Sequence, residues 1–432
     1  MIVTVIGTGF VGVVSSAVFA SFGNTVFGLD IDAAKIEKLK NSEIPFYEPQ
    51  LKELVTAGVK DGNLKFTTDY AEAIPTSDVI IIAVGTPSAP DGQADLKFVF
   101  ASIDSLAPHL KEGAIVAIKS TVPPGTNAQV VERIKAKAKV KFAVVSLPEF
   151  LKEGTAVEDT LHPDRVVIGA TDPSVIAKLQ ELHKPLEAPF AVMKPESAQM
   201  SKYAANAYLA TRITFINQIA NLCESNGADI SEVIEGIGYD QRIGSHYWYP
   251  GFGYGGSCFP KDVKELAAYS KSVHQNNNLL VKVDELNVER IPLLMDKYGK
   301  NMGGWEGKTV AVLGLSFKKN TDDMREAPSV HVIPYLVEHK AKVKTFDPMA
   351  IPTAQAWFPN WTVEYAKTAY DAVDGAQVIM VLIEWPELIS LDLDRLAASA
   401  RGAWFIDARN QYLKKRAEIE QLGFHYIGVG VV

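Results

Sequence analysis

The chain opens with an apolar, strand-like run that leads directly into three glycines. Ile2–Ile6 precede Gly7, Gly9 and Gly12, and an apolar helical stretch follows. In this context Gly7 permits a tight turn, Gly9 lets the backbone approach a pyrophosphate, and Gly12 allows helix and strand to pack closely. The opening therefore predicts a dinucleotide-binding α/β domain built on a doubly wound parallel sheet.

A carboxylate ends the second predicted strand, Thr25–Leu29. Asp30 lies about 20 residues beyond the glycines, where it can accept hydrogen bonds from the adenosine ribose and repel a 2′-phosphate. This spacing predicts NAD rather than NADP, with Phe10 and Val11 completing the cofactor turn. Lys35 is a further candidate for the cofactor ribose or phosphates, although a solvated helix lysine fits nearly as well. An ordinary turn with a solvated acid is the alternative for the whole motif.

Strand-like and helical runs alternate as far as about residue 190, which is the pattern of a parallel sheet. Further strands are predicted at residues 79–84, 115–119, 142–145 and 166–169. Residues 196–225 then carry apolar positions at helical spacing and predict one long helix. A loop rich in glycine and aromatic residues, 242–260, follows, and helices resume at Lys261.

A second strand-then-glycine start occurs at residues 308–314, after Gly303 and Gly304. Residues 343–347 end on an aspartate like residues 26–30, which suggests an internal repeat. We therefore predict an α/β protein with two Rossmann-like doubly wound parallel-sheet domains joined by a long central helix and a helical region. The predicted division is 1–195, 196–302 and 303–432.

Composition narrows the classes of partner. The 432 residues carry a formal charge of -8, which argues against a nucleic-acid surface. The longest apolar runs are far shorter than the roughly 20 residues that a membrane helix requires. The first residues already resemble a strand rather than a signal peptide, so a cytoplasmic protein without membrane contact is expected. Two cysteines are too few for a disulfide framework, and no metal site is predicted.

The most informative local string is GFGYGGSCFPKD, residues 251–262. Its many glycines before Cys258 indicate a backbone that approaches a ligand closely or bends sharply. A thiol on such a loop can be exposed, and nearby Lys261 is expected to lower its pKa below the usual value of about 8.5, giving a nucleophile. Cys223 lies in the apolar part of the long helix and is expected to be buried and inert.

Two further pairs of residues are candidates for catalysis or for cofactor binding. Lys202 and Asn206 are four residues apart on the long helix, hence on one face, and together could hold a developing oxyanion. Spacing alone favours a solvated lysine and a surface asparagine. Thr86 and Thr121 follow predicted strands and offer hydroxyls near a bound cofactor, although each also fits an ordinary turn.

Taken together, these segments resemble the UDP-glucose/GDP-mannose dehydrogenase family over nearly the whole chain. Besides the opening glycines and Asp30, the resemblance rests on five strings and on Arg325. The strings are STVPPGT at residue 120, PEFLKEGTA at 148, SKYAANA at 201, GYGGSCFPKD at 253 and GLSFKKNT at 314. Leu147 departs from the pattern, because the family usually has asparagine before this Pro-Glu.

The resemblance implies NAD-dependent, four-electron oxidation of a nucleotide sugar to a carboxylate, through a thiohemiacetal and a thioester at Cys258. The implied catalytic residues are Cys258 as nucleophile, Asp262 with Thr121 in proton transfer through water, Lys202 and Asn206 as oxyanion stabilisers, and Glu149 as the base for thioester hydrolysis. The implied cofactor contacts beyond the glycine turn are Thr86, Thr121, Glu153 and Arg325. The implied sugar-nucleotide contacts are Glu149, Phe150, Leu151, Lys202, Asn206, Arg242, Tyr249, Phe252, Gly253, Cys258, Phe317 and Lys318.

The family resemblance also implies a UDP-binding C-terminal domain and a homodimer formed through the central helical region, with Arg242 reaching a neighbouring subunit's substrate. The string at Arg242 and the FGYGGSC loop look most like the UDP-glucose branch. GDP-mannose and N-acetylated UDP-sugars stay open as substrates. Two other classes also stay open, a two-electron hydroxyacid dehydrogenase, which does not need Cys258, and a non-enzymatic NAD sensor.

Overall fold

We analysed a computed structural model that describes residues 1–275, 278–400 and 402–431. The chain divides into two compact units. The first comprises Met1–Ala205 and Glu265–Gln275, and the second comprises Asn206–Lys264 and the described residues from 278 onward. In these residues no helix is long and apolar enough to cross a membrane.

The first unit is built on a sheet of eight strands among its described residues, in the order β3-β2-β1-β4-β5-β6-β7-β8. All neighbouring strands are parallel except β6 and β7, which meet antiparallel at Ser146 and Gly169, and the predicted doubly wound parallel sheet is confirmed. The strands are β1 (Ile2–Ile6), β2 (Thr25–Leu29), β3 (Leu64–Thr67), β4 (Val79–Ile82), β5 (Ala114–Ile118), β6 (Phe142–Ser146), β7 (Val166–Gly169) and β8 (Phe190–Met193).

Helices cover both faces of this sheet. On β4, Val79 and Ile81 pack into one hydrophobic core while Ile80 and Ile82 pack into another, as expected for a strand buried on both sides. The six strands predicted in this part of the chain are confirmed. The helices are α1 (Phe10–Ser21), α2 (Ala33–Lys40), α3 (Leu51–Lys60), α4 (Tyr70–Ala73), α5 (Lys97–Leu106), α6 (Thr126–Lys135), α7 (Ala156–Leu161) and α8 (Pro173–His183).

The predicted long helix is α9, Pro195–Asn226. It is followed by α10 (Ile230–Gly238), α11 (Phe259–Ser272) and α12 (Asn278–Asn301). The predicted loop boundary at residue 260 is wrong, because α11 begins at Phe259 and includes Pro260. Proline is compatible with the first helical turn, where its missing N–H has no partner to lose.

The second sheet has six parallel strands among the residues described, in the order β11-β10-β9-β12-β13-β14. The strands are β9 (Thr309–Leu313), β10 (Lys342–Phe346), β11 (Val363–Tyr365), β12 (Val378–Val381), β13 (Trp404–Asp407) and β14 (His425–Gly428). The helices are α13 (Pro328–Glu338), α14 (Ile351–Trp357), α15 (Ala369–Val373), α16 (Pro386–Ile389), α17 (Leu393–Ala400) and α18 (Arg416–Gln421). Its order repeats that of the first six strands of the other sheet, so the predicted repeat is a repeat of topology.

Candidate active site

The three glycines after β1 have three different surroundings. Gly7 has φ +97°, a left-handed conformation that disfavours other residues, and a Cβ there would lie 2.7 Å from the Ala83 carbonyl oxygen. A Cβ on Gly12 would lie 1.7 Å from the Gly7 carbonyl oxygen, whereas one on Gly9 would meet nothing within 4 Å. Gly9 precedes α1, which has no side-chain cap, so backbone N–H groups at this helix end can face an anion.

Asp30 follows β2 beside this turn. Its Oδ2 accepts hydrogen bonds from the Thr8 backbone N–H at 2.8 Å and from the Thr8 hydroxyl at 2.9 Å, and Lys35 Nζ lies 3.0 Å away. Burial by itself would raise the pKa of Asp30, but these bonds and one from Asp32 outweigh it and hold the pKa below its usual value. The ionised carboxylate can accept hydrogen bonds from ribose. Lys35 is bound to Asp30 rather than solvated alone.

Phe10 and Val11 form the first turn of α1, and the Phe10 ring lies 5.0 Å from that of Phe46. Beyond β4, the buried Thr86 donates its hydroxyl to the Thr121 carbonyl oxygen at 2.9 Å. The structure thus brings Thr86 and Thr121 together. They lie at the carboxyl ends of neighbouring parallel strands, where open α/β sheets bind ligands.

Glu149 and Lys202 form a buried ion pair in the first unit, with Oε1 and Nζ 3.0 Å apart. The other oxygen of Glu149 accepts the Leu151 backbone N–H at 2.8 Å. Lys202 Nζ also lies 5.4 Å from the centre of the Phe150 ring. Lys202 and Asn206 are only 4% and 6% exposed, so the interpretation of this pair as solvated surface residues is wrong.

Lys119, at the end of β5, adds a second cation to this cluster. Burial lowers the pKa of Lys119 to about 8; the Glu149 carboxylate acts to raise it, and the Lys202 ammonium acts to lower it. The sequence pattern assigns Lys119 only to a predicted strand. Its proximity to the ion pair depends on how β5 and the loop after β6 are placed side by side in the sheet.

Glu48 is another residue that sequence reasoning missed. Its side chain is buried, and its carboxylate accepts backbone N–H groups from Gly154 at 2.6 Å, Ala156 at 2.6 Å and Val157 at 3.4 Å. These bonds hold the loop that contains Glu149 and Glu153 against the start of α7. No local signal predicts them, because Glu48 and the loop are about a hundred residues apart.

Leu147, the departure from the family pattern, is fully buried in a hydrophobic core of the first unit. Its backbone N–H bonds to the Ile118 carbonyl oxygen at 2.8 Å, as in a continued strand pair. An apolar side chain therefore suits this position, and Glu149 receives its hydrogen bonds from Leu151 and its ion pair from Lys202.

Cys258 immediately precedes α11, and its carbonyl oxygen accepts the Asp262 backbone N–H at 2.8 Å. The thiol is partly exposed and lies 3.6 Å from the Ser257 hydroxyl. The partial positive charge of a helix N-terminus favours the thiolate at this position. Cys223 is buried, as predicted, and burial raises the pKa of its thiol.

Asp262 is the centre of a polar cluster one turn beyond Cys258. Its fully buried carboxylate accepts the Asn206 amide at 2.5 Å through Oδ2 and the Lys261 ammonium at 2.6 Å through Oδ1. Three of the residues named from the GYGGSCFPKD and SKYAANA strings are therefore in direct contact within the second unit. The Asn206 amide has a second N–H that is not used in this bond and can face a ligand.

The glycines before Cys258 allow close contacts within the protein. Added Cβ atoms would lie 2.7 Å from the Ala408 carbonyl at Gly251, 2.0 Å from the Glu326 carbonyl at Gly255, and 2.7 Å from the Phe317 ring at Gly256. The Gly256 N–H also donates to the Arg325 carbonyl at 2.9 Å. Gly253 and Gly256 have φ +98° and +84°, which agrees with the predicted sharp bend, and close packing inside the second unit is a further reason for these glycines.

The remaining sugar-contact candidates differ in exposure. The Phe252 side chain is 3% exposed and packs near Tyr298, so it leaves only its backbone for a ligand. Tyr249 is exposed, and Lys318 Nζ lies 5.3 Å from the Phe317 ring. Arg242 and Arg325 are exposed and pair with neighbouring aspartates. All of these residues belong to the second unit, whereas Glu149, Phe150, Leu151 and Lys202 belong to the first.

The first unit has a dinucleotide turn after β1 and an acid directly after β2. The second unit has a thiol at a helix N-terminus beside a buried polar cluster. These features define a nicotinamide-dinucleotide-dependent dehydrogenase. Residues 1–187, 196–289 and 311–414 match the NAD binding, central and UDP binding domains of one family. The chain belongs to the UDP-glucose/GDP-mannose dehydrogenase family, and its cofactor is NAD.

Individual relatives are similar over nearly their full length. The chain is 44% identical to UDP-glucose 6-dehydrogenase TuaD of Bacillus subtilis, over 99% of this chain and 93% of that protein. It is 40% identical to UDP-glucose 6-dehydrogenase of Pseudomonas aeruginosa, over 99% and 96%. A UDP-glucose dehydrogenase structure from Pyrobaculum islandicum is 37% identical, covers 100% and 98% of the two chains, and superposes with a TM-score of 0.92.

Proposed function

We propose that the protein oxidises UDP-glucose to UDP-glucuronate through a covalent intermediate on Cys258. The observation that carries this proposal is a partly exposed thiol at the N-terminus of α11, one turn from the buried Asp262–Asn206 pair. The similarity to UDP-glucose 6-dehydrogenases over the full chain supports the substrate. The overall reaction converts one primary alcohol, one water and two NAD⁺ into one carboxylate, two NADH and three protons.

NAD supplies the acceptor for hydride, and the turn after β1 fits it. The space beside Gly9 and the uncapped start of α1 suit a pyrophosphate, and the ionised Asp30 suits the ribose hydroxyls. Lys35 neutralises part of the charge on Asp30 while leaving Oδ1 with capacity for a ligand. Thr86, Thr121, Glu153 and Arg325 complete the proposed cofactor contacts.

In the first oxidation the alcohol carbon loses a hydride and the hydroxyl loses a proton, which passes through water to the Asp262 carboxylate with Thr121 assisting. The Cys258 sulfur then adds to the aldehyde carbon, and the carbonyl oxygen takes up a proton, giving a thiohemiacetal. Asn206, held by Asp262, and Lys202 stabilise the oxyanion that develops. A free aldehyde never leaves the protein.

Loss of the second hydride and of the hydroxyl proton converts the thiohemiacetal into a thioester. Glu149 then takes a proton from water as the water oxygen attacks the thioester carbon. The C–S bond breaks, and Cys258 returns to its thiolate. The Lys202 ammonium, which pairs with Glu149 in this structure, is suited to hold that carboxylate in place between turnovers.

Stoichiometry tests the overall reaction. We expect two NADH for each UDP-glucose consumed and no released aldehyde, because the thiol traps the intermediate. Cys258→Ala should abolish acid formation and retain NAD binding, whereas Cys223→Ala, which removes the buried thiol, serves as the matched control and should remain active. One NADH per product would instead identify a two-electron hydroxyacid dehydrogenase. A panel with GDP-mannose and N-acetylated UDP-sugars tests the choice of substrate.

Glu149→Gln tests the hydrolytic step. The amide cannot accept a proton from water, so hydride transfer should proceed and thioester hydrolysis should slow. Rapid mixing should give a burst of about two NADH per active site, followed by a slow steady state. Intact-protein mass spectrometry should then show a sugar-nucleotide adduct that is absent from Cys258→Ala. Slow turnover without burst or adduct would contradict the assignment of Glu149.

A homodimer through the central helical region is part of the proposal. Tyr208, Phe215 and Leu222 repeat every seven residues on α9 and are 59%, 51% and 58% exposed. An apolar stripe of this kind on a long helix is suited to pack on a second copy. Arg242 is exposed, as required of a side chain that reaches a neighbouring subunit's substrate. Phe215→Glu should produce monomers in sedimentation velocity if this face is the interface.

A further inference from the structure

The loop that leads to Cys258 is bound by side chains that have no part in the proposed chemistry. Asn287 and Arg290 lie three residues apart on α12 and therefore on one face of it. Asn217 lies on α9. All three make hydrogen bonds to the loop backbone at Gly251 or Tyr254, and all belong to the second unit.

The bonds satisfy both backbone groups of two loop residues. Asn287 Oδ1 accepts the Tyr254 N–H at 2.8 Å, and its Nδ2 donates to the Tyr254 carbonyl at 3.0 Å. Asn217 Oδ1 accepts the Gly251 N–H at 2.8 Å, and Arg290 Nε donates to the Gly251 carbonyl at 3.0 Å. A loop without strand partners thus gains the pairing that a neighbouring strand would otherwise provide.

The contact is close and buried. Gly253, between the two bound residues, has φ +98°, and a Cβ there would lie 2.5 Å from Asn287 Oδ1. Arg290 is 2% exposed and also donates to the side chain of Asn221. A buried guanidinium is costly to desolvate unless it is hydrogen-bonded. Arg290 therefore has a strong energetic preference for the geometry in which Gly251 accepts its hydrogen bond.

We propose that Asn217, Asn287 and Arg290 are positioning residues that fix the backbone at 251–254 and, through it, the approach of the substrate to Cys258. The inference for catalysis rests on the proposed function, because Tyr249, Phe252 and Gly253 are its sugar-contact candidates. The bonds to the loop are independent of that function. Misplacing a reacting group by about 1 Å can cost on the order of 100-fold in rate.

Hydrogen exchange tests the loop bonds in the protein without substrate. In Asn287→Ala and Arg290→Met, we expect amides of the peptide spanning 249–258 to exchange at least about tenfold faster, with protection unchanged in the two sheets. Arg290→Lys keeps a charged donor for Gly251 and should restore most of the protection. Glu289→Gln, an exposed neighbour on α12, is the matched control and should leave exchange unchanged.

Kinetics test the effect on the substrate. The same variants should raise KM for UDP-glucose about 10-fold or more while KM for NAD stays within about twofold, since the dinucleotide turn lies in the other unit. Asn217→Ala provides an independent third variant should Arg290→Met fold poorly.

Unchanged exchange and unchanged KM in these variants would overturn the proposal. Faster exchange throughout the second unit, with both KM values raised together, would indicate general destabilisation and would overturn it as well. If the native enzyme does not oxidise UDP-glucose, the proposed function fails, whereas the exchange of residues 249–258 still decides whether the three side chains hold the loop.

Discussion

The two sheets of the protein share a topology and differ in the use of one acid. In each, the first strand ends at a glycine in the left-handed region, Gly7 with φ +97° and Gly314 with φ +92°. In each, the second strand is followed by an aspartate, Asp30 or Asp347, that accepts backbone N–H groups just after that glycine. The same strand order therefore brings the same residue type to the same place twice.

The two aspartates differ in burial and in the groups that donate hydrogen bonds to them. Asp347 is 1% exposed, and Trp385 Nε1 donates to it at 3.2 Å. Its other bonds come from the Ser316 hydroxyl at 3.4 Å and from the backbone N–H groups of four residues, which are Leu315, Ser316, Met349 and Ala350. Asp30 keeps part of its carboxylate accessible, and its side-chain partners are Lys35 and the Thr8 hydroxyl. The shared topology places an aspartate at the same point in both sheets, and the neighbouring side chains decide how far that aspartate is buried.

The segments that follow Gly7 and Gly314 also differ, because a helix begins at once after one glycine turn and much later after the other. Helix α1 begins at Phe10, directly after Gly9, so its N-terminus is available to a pyrophosphate. After Gly314 the chain continues as a loop, and α13 begins only at Pro328. That loop contains Phe317 and Arg325, which contact Gly256 of the loop preceding Cys258. The segment after Gly314 thus packs against the loop that precedes Cys258.

Asp347 should contribute far more to the stability of the protein than Asp30 does. Asp347→Ala should lower the free energy of unfolding by about 3 kcal/mol or more, since it leaves several buried donors without an acceptor. Asp30→Ala should cost about 1 kcal/mol or less, because water can replace the lost bonds. All six tryptophans belong to the second unit, so their fluorescence in a urea titration reports the Asp347 variant directly. Equal losses in the two variants would contradict the distinction.

The next effect is pH-dependent and is expected in the first unit. Burial lowers the pKa of His183 to about 4, although its bond to the Leu179 carbonyl opposes the shift. Between pH 6.5 and about 4 the unfolded chain binds a proton that the folded chain does not, so stability is full above pH 6.5 and falls toward pH 4. The loss should reach about 2–3 kcal/mol.

His183→Gln, which cannot be protonated, is the control for this prediction and should remove the pH dependence between 6.5 and about 4. Circular dichroism follows both units, and tryptophan fluorescence follows only the second. An acid transition seen first by fluorescence would show that the first unit is not the sensitive one.

The smallest expected effect concerns cofactor choice. Asp30→Ala should weaken NAD binding by about tenfold, equivalent to about 1.4 kcal/mol, and should narrow the preference over NADP because the repulsion of a 2′-phosphate is removed. The variant Asp347→Ala, assayed at a temperature where it is folded, should keep the preference of the native protein for NAD over NADP. Titration calorimetry with both cofactors measures the change. Equal use of NAD and NADP by the native enzyme would remove the basis for assigning Asp30 to the ribose.

Local patterns in the sequence determined a large part of the fold. The glycine turn, the strands of the first sheet, the long helix and the repeat all depend on residues close together in the chain, where periodicity and glycine placement reflect local backbone geometry. The glycine-rich loop singled out Cys258, and the resemblance added Asp262, whose backbone N–H bonds to the Cys258 carbonyl oxygen within one helical turn. The NAD cofactor follows from the first strand, the glycines and Asp30.

Only the tertiary structure decided the contacts between distant segments. It buried Lys202 against Glu149 and placed Glu48 on the loop after β6. It also buried Asp347 next to Trp385. Finally, it bound Asn287 and Arg290 to the loop before Cys258. Each pairing joins residues that lie tens of positions to about a hundred positions apart in the sequence. A polar residue has the same local signature whether it meets water or a buried partner, so its role is fixed only when folding chooses its neighbours.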